Sequence, residues 1–229
     1  GDLAVEVGNA AVPALQKRMI KMARELDKVV ITATQMMESM ITNPVPTRAE
    51  VSDVANAVLD GTDAVMLSAE TAAGKFPLAT VEEMAKICEA AEQVQDYESD
   101  ADFSGKRFSR IDQSIAMGAL FTASHLGAKA IVALTDSGST AVWMSRQRVS
   151  IPIYAVTSKV STQRKLALYR NVSPILMDSS QDRDTALAQT ETDLKARGIM
   201  QSGDVYAITC GEPMGVPGGT NMLKICRVA

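Results

Sequence analysis

Two short apolar runs rich in β-branched residues constrain this chain most: residues 29–33 (VVITA) and 64–67 (AVML). Each ends on small polar residues, Thr34-Gln35 in the first case and Ser68-Ala69-Glu70-Thr71 in the second, and each is flanked by helical patterns. Val12, Leu15, Met19, Met22, Ala23 and Leu26 recur at helical spacing, with Pro13 in the first turn, where it costs no hydrogen bond. Thr47 followed three residues later by Glu50 reads as a capping box. The helix it opens carries Val51, Val54, Ala55, Val58 and Leu59 on one face and stops at Gly61. A further helix spans residues 78–91, with Val81, Met84, Ala85 and Cys88 on its apolar face. Strands alternating with helices call for a parallel sheet. Hydroxyls and carboxylates just beyond the C-terminal ends of such strands are where a (β/α) barrel places its chemistry. Leu3-Ala4-Val5 adds part of a third strand-like run. Two strands and part of a third cannot close a barrel and leave unpaired edges, so residues 1–94 read as the closing segment of a longer one. A start at Gly1, inside an apolar run, carries the same expectation of a fragment.

The rest of the chain has a different texture. Residues 95–110 (QDYESDADFSGKRFSR) are polar, charged and aperiodic, and read as a linker. A second αβ series follows in 111–229: helix 115–126, strand 130–134 (AIVAL), helix 140–148, strand 153–156, helix 161–170, strand 172–177, an amphipathic helix 182–197 ended by Gly198, and strands 205–209 and 222–228. The expected architecture is an open, mostly parallel α/β domain of three layers, its last strand antiparallel at one edge.

Composition excludes several classes. Hydrophobic residues make up 46% and charged residues 22%, as in an ordinary soluble domain. A formal net charge of −4, from 23 Lys+Arg against 27 Asp+Glu, lacks the basic footprint of a nucleic-acid binder. The longest apolar runs fall far short of the ~20 residues of a membrane span. Cys88, Cys210 and Cys226 are widely spaced, with no metal-ligand pattern, and fit a reducing compartment. The sole histidine, His125, reads as a helix residue with a local hydrogen bond.

The segment from Val30 to Pro77, VITATQMMESMITNPVPTRAEVSDVANAVLDGTDAVMLSAETAAGKFP, closely resembles the pyruvate kinase family, with its ATQM-ES-M, PTRAE, DVANAV-DG-DAVMLS-ET and G-(F/Y)P motifs in order. The resemblance covers essentially the whole chain and is most specific before residue 90. It implies an α/β fold with the end of a TIM (β/α)8 barrel in residues 1–94 and a regulatory domain in 111–229. The implied activity is glycolytic phosphoryl transfer from phosphoenolpyruvate to ADP, with Mg²⁺ (or Mn²⁺) and K⁺, in a cytoplasmic homotetramer. Asp2 matches the family's metal-binding aspartate, and the amides of Gly1 and Asp2 would face the substrate carboxylate. Thr34 matches a substrate-binding threonine, and Ser68 is implied in a water relay that protonates the enolate. Glu70 reads as a loop-ordering residue, with a metal ligand as the alternative, and Met36, Met37 and Met40 as packing residues. The family's catalytic lysine, its metal-binding glutamate, the arginine before Gly-Asp and the K⁺ site lie upstream of this sequence. Lys17, Lys21 and Lys28 read as solvated helix residues. The expectation is that the chain alone does not turn over phosphoenolpyruvate. The alternative is a stand-alone binding module for a phosphorylated ligand, without catalysis.

Thr135-Asp136-Ser137-Gly138-Ser139-Thr140 follows a buried strand and opens a helix. Hydroxyls and amides there can cradle a phosphate, or can simply cap the helix. The resemblance places the family's (S/T)-x-(S/T)-G-x-(S/T) effector loop on these residues, so Thr135, Ser137, Gly138, Ser139 and Thr140 are the implied contacts. GEPMGVPGGTNMLKI resembles the second effector loop, yet no Arg or Lys stands between Gly211 and Met222. A bisphosphate would lack its countercharges there. A monophosphate activator such as AMP, ribose 5-phosphate or glucose 6-phosphate is the expectation.

Overall fold

A computed structural model describes residues 2–94, 107–147, 149–178 and 182–229. Gly1, residues 95–106 of the expected linker and Arg148 of the expected helix 140–148 lie outside the described residues. The chain divides into two units, Gly1–Asp96 and Tyr97–Ala229.

In the first unit, α1 (Asp2–Val7) leads through a short 3-10 turn to α2 (Val12–Glu25). The expected strand at Leu3-Ala4-Val5 is therefore a helix, and Asp2 opens it instead of ending a strand. A helix satisfies its own amides, whereas a strand needs a neighbour. Gly8, at φ +81°, closes the turn, and its amide donates to the Ala4 carbonyl at 2.9 Å. Then come β1 (Ile31–Ala33), α3 (Arg48–Asp60), β2 (Ala64–Met66), α4 (Ala69–Ala72) and α5 (Pro77–Gln93). β1 and β2 pair in parallel, Ala33 opposite Met66. The capping box is present: Thr47 accepts from the Glu50 amide while the Glu50 carboxylate accepts from the Thr47 amide. Gly61 caps the C-terminus at φ +95°.

The core of this unit gathers Met36, Met37 and Met40 with Val54, Met84 and Ile87. The flexible thioethers fill the irregular space beneath the strand ends. The buried face of α5 differs from the expected one: Thr80, Met84, Ile87 and Ala91 point inward, while Val81 is 50% exposed. Glu82, Glu83, Lys86 and Glu89 mark the polar face of this helix, but the apolar arc opposite is broad, so periodicity alone does not fix which residues stand at its centre. Thr80 enters the core at little cost because its hydroxyl donates to the Phe76 carbonyl at 2.8 Å.

The second unit runs α6 (Ile111–His125), β3 (Ala130–Leu134), α7 (Ser139–Ser145), β4 (Ile153–Thr157), α8 (Val160–Leu166), β5 (Val172–Leu176), α9 (Arg183–Ala196), β6 (Val205–Gly211) and β7 (Thr220–Arg227). Strand order is β5-β4-β3-β6-β7, parallel throughout except for the antiparallel edge strand β7. β3 is buried along its whole length. Its even-numbered residues, Ala130, Val132 and Leu134, share one core cluster with Ala186, Leu187 and Leu194 of α9. By the pleat, Ile131 and Ala133 face the opposite layer, which makes three layers. α6 starts four residues earlier than its periodicity indicated, because Asp112 in the first turn accepts from the Gln113 amide and Ser114 donates to the Arg110 carbonyl. α8 stops at Leu166, shorter than expected, and Asn171 turns the chain at φ +58°.

Candidate functional site

The parallel register of β1 and β2 brings the loops that follow them side by side. Thr34 has φ +73° and Gln35 φ +56°, both left-handed. For a β-branched residue this conformation is strained, by about 1–3 kcal/mol, and persists only where its surroundings impose it. Met36 and Met37, buried immediately afterwards, pull the chain inward. Glu70, 2% exposed, supplies the other constraint: Oε1 accepts from the Met37 amide at 3.3 Å and Oε2 from the Ser68 amide at 2.7 Å. One carboxylate thus fixes both strand-end loops, the loop-ordering role expected of it. Gly74 makes room for this, since a Cβ there would lie 2.2 Å from the Glu70 carbonyl oxygen.

Thr34 lines a cleft of about 530 Å³ bounded by the segment from Val30 to Met36 and by α2. Leu3 and Ala4 of α1 line the same cleft, so the helix opened by Asp2 reaches it. Ser68 is exposed at the end of β2 and does not line it. The left-handed turn at Thr34 was not foreseen from the sequence, because Thr is a poor residue for it. Among the described residues no group of three or more His, Cys, Asp or Glu could hold a metal ion. Lys17 stays solvent-exposed, as expected, and is also ion-paired with Asp60 of α3, while Lys28 lies beyond the end of α2. His125 Nδ1 lies 2.9 Å from the Phe121 carbonyl and its ring stacks on Phe121, a local helix contact.

In the second unit a pocket of about 150 Å³ lies between the loop after β3 and the β6–β7 loop. Thr135, Ser137 and Ser139 line one wall, and Met214, Val216 and Gly218 the other. The first loop is held by its own hydroxyls: the Gly138 amide donates to Thr135 Oγ1 at 2.9 Å, and the Ser137 and Ser139 hydroxyls are 3.1 Å apart. Gly138, at φ +85°, packs on Leu166, where a Cβ would lie 3.0 Å from a methyl group. Thr140 is fully buried and does not line the pocket; its hydroxyl lies 2.9 Å from that of Thr220, which does. The sequence reading missed Ser158, which lines the pocket, and Lys159, which pairs with Asp136 at 2.6 Å. Both sit in the β4–α8 loop and join the site only through sheet order. Lys159 offsets an Asp136 charge that would otherwise repel an anion. Burial pushes the Cys210 thiol up, so a neutral thiol lines the floor. The cavity has room for a phosphoryl group and a few waters, less than the roughly 300 Å³ of a site that engulfs a whole small molecule.

Residues 1–81 match the family model "Pyruvate kinase, barrel domain", and residues 113–226 match "Pyruvate kinase, alpha/beta domain". The chain is 47% identical to pyruvate kinase II of Salmonella typhimurium over 229 residues, covering 100% of this chain and 48% of that one. It is 44% identical to the pyruvate kinase of Haemophilus influenzae over 228 residues, covering 99% and 47%. The solved structure of a pyruvate kinase from Cryptosporidium parvum superposes with a TM-score of 0.91 at 36% identity, covering 99% of this chain and 45% of that one. The chain spans about half the length of the curated relatives it matches. With a match across both units, the chain belongs to the pyruvate kinase family.

Proposed function

We propose that this chain supplies the last strand ends of a pyruvate kinase active site, which moves the phosphoryl group of phosphoenolpyruvate to ADP to give pyruvate and ATP. The observation that carries the reading is Thr34: a strained strand-end threonine, lining a cleft and locked there through Glu70. Its hydroxyl donates to the substrate carboxylate or enolate oxygen, and the rigid turn fixes that donor before substrate arrives. The amides of Gly1 and Asp2 hold the substrate carboxylate, and Ser68 supports proton delivery to the enolate. The pyruvate kinase family uses Mg²⁺ and K⁺. Among the described residues no group of three or more His, Cys, Asp or Glu gathers for a metal ion. In this reading Asp2 serves as one ligand of a divalent ion (Mg²⁺ or Mn²⁺), its other ligands and the K⁺ site being supplied from outside this chain. What this chain itself contributes is binding and orientation.

Residues 111–229 form the regulatory domain in this reading, and 95–110 the linker. The 150 Å³ pocket receives the phosphoryl end of a phosphorylated activator, with Thr135, Ser137 and Ser139 as donors. Gly138 supplies the turn, and Thr140 acts behind the wall. The assembled enzyme works as a homotetramer in the cytoplasm. No described helix is long and apolar enough to cross a membrane. The deciding experiment joins this chain to the N-terminal part of the Salmonella typhimurium relative and assays pyruvate formation. Turnover by the fusion, none by the chain alone, and a roughly 100-fold lower kcat/KM for Thr34→Ala are expected. An inactive but folded fusion, or near-normal turnover by the chain alone, overturns the proposal. The alternative of a binding module without catalysis draws on the pocket's being lined wholly by residues of the second unit.

A further inference from the structure

Asp112 is 2% exposed, a carboxylate taken out of water at the start of α6. Arg110 meets it with a two-pronged hydrogen bond, Nε to Oδ1 at 3.0 Å and Nη2 to Oδ2 at 2.7 Å. The Arg110 guanidinium carbon also sits 5.2 Å from the ring centroid of Trp143, in the helix that follows the hydroxyl loop. The backbone of Gly218 lies against this pair: a Cβ there would be 2.8 Å from Arg110 Nη2 and 3.4 Å from Asp112 Oδ2. Gly218 also lines the pocket. The same guanidinium therefore touches the first turn of α6, the side of α7 and the tip of the β6–β7 loop.

We propose that the Arg110–Asp112 pair is a positioning clamp that sets where Gly218 stands, and so the width of the pocket between the Thr135–Ser139 loop and the β6–β7 loop. The stem of that loop is already pinned, because Asn221 bonds the Glu212 amide at 2.9 Å and its carbonyl at 2.8 Å. Its tip is rich in glycine and holds itself by little more than the Gly219 amide on the Val216 carbonyl, at 2.9 Å. A buried carboxylate does not tolerate loss of its partner, so Arg110 is kept in place. The two-pronged geometry and the aromatic face fix the plane of its guanidinium, in a way that Lys cannot copy. A rigid plate beneath a flexible tip narrows the positions the tip can take. Neither Arg110 nor Asp112 lines the pocket, so their effect passes through Gly218.

The affinity arm of the test rests on the reading of the pocket as a phosphorylated-ligand site, while the exchange arm does not. In the 229-residue chain, Arg110→Lys, Arg110→Ala and the double change Arg110→Ala/Asp112→Asn are compared with the parent. The double change avoids stranding a buried charge. Hydrogen exchange of residues 214–219 is expected to be roughly tenfold faster in Arg110→Ala and in the double variant, and intermediate in Arg110→Lys. Trp143 is the sole tryptophan, so its emission reports the clamp and is expected to shift in the same order. Glucose 6-phosphate and AMP, titrated by calorimetry, are expected to bind roughly tenfold more weakly to Arg110→Ala. Exchange at 214–219 equal to the parent's overturns the clamp, as does acceleration spread evenly over the second unit. If neither ligand binds the parent, the pocket reading fails and the exchange result alone decides the clamp.

Discussion

The carboxylate of Glu70 accepts the backbone amide of Met37 at 3.3 Å, across 33 residues of sequence. Its other oxygen holds the Ser68 amide, so the turns after two neighbouring strands share one anion. Glu70→Ala would leave both amides without this acceptor, Met37's buried and Ser68's partly so, and cost about 2–4 kcal/mol. Glu70→Gln keeps one acceptor and should cost about half as much. Urea denaturation gives the magnitude. Amide exchange should rise at residues 36–41 and 68–72 before it rises elsewhere.

Thr34 sets function against stability. Its left-handed backbone suits Asn far better than a β-branched residue. Thr34→Asn should raise the stability of the chain by about 0.5–1 kcal/mol, a fraction of the strain such a conformation stores. In the fusion enzyme the same change should lower kcat/KM, because the donor is displaced. A Thr34→Asn protein that is no more stable than the parent would contradict the assignment of strain.

Glu50 makes part of the stability pH-dependent. Burial pushes its carboxyl up, and hydrogen bonds from Ser39 and Thr47 more than offset this, leaving it below the ordinary glutamate value of 4.5. A carboxyl whose pKa is lower in the folded state contributes stability that is present above its unfolded pKa and lost as pH falls through its folded value. The loss should begin near pH 4.5 and continue below it. Glu50→Gln should flatten that part of the melting-temperature profile. Thr47→Ala should cost about 1 kcal/mol at neutral pH through the lost cap.

Ser137→Asp places a carboxylate against the expected phosphoryl position. Calorimetry with glucose 6-phosphate and AMP should show affinity reduced by at least about tenfold, with the melting temperature unchanged. Unchanged affinity would remove Ser137 from the site.

Much of this was legible because it is local. The capping box at Thr47 and Glu50, the stop at Gly61, strand β3 and the antiparallel edge strand all follow from patterns a few residues long. The packing role of Met36, Met37 and Met40 was legible too. Where the apolar arc was broad, as in α5, period alone did not fix which residues stand at its centre. At Leu3-Ala4-Val5 an apolar run without a strand partner became a helix.

The sequence by itself determined the family, the αβ alternation and which loops carry hydroxyls, because motif order and hydrophobic period survive without coordinates. Tertiary structure decided the rest. It brought Lys159 to Asp136, turned Thr140 toward Thr220 and set Gly218 on the Arg110–Asp112 pair. It also forced Thr34 into a conformation its own chemistry disfavours. These are contacts between distant segments, fixed by strand order and by the cost of leaving buried polar groups unpaired, which no short stretch of sequence encodes.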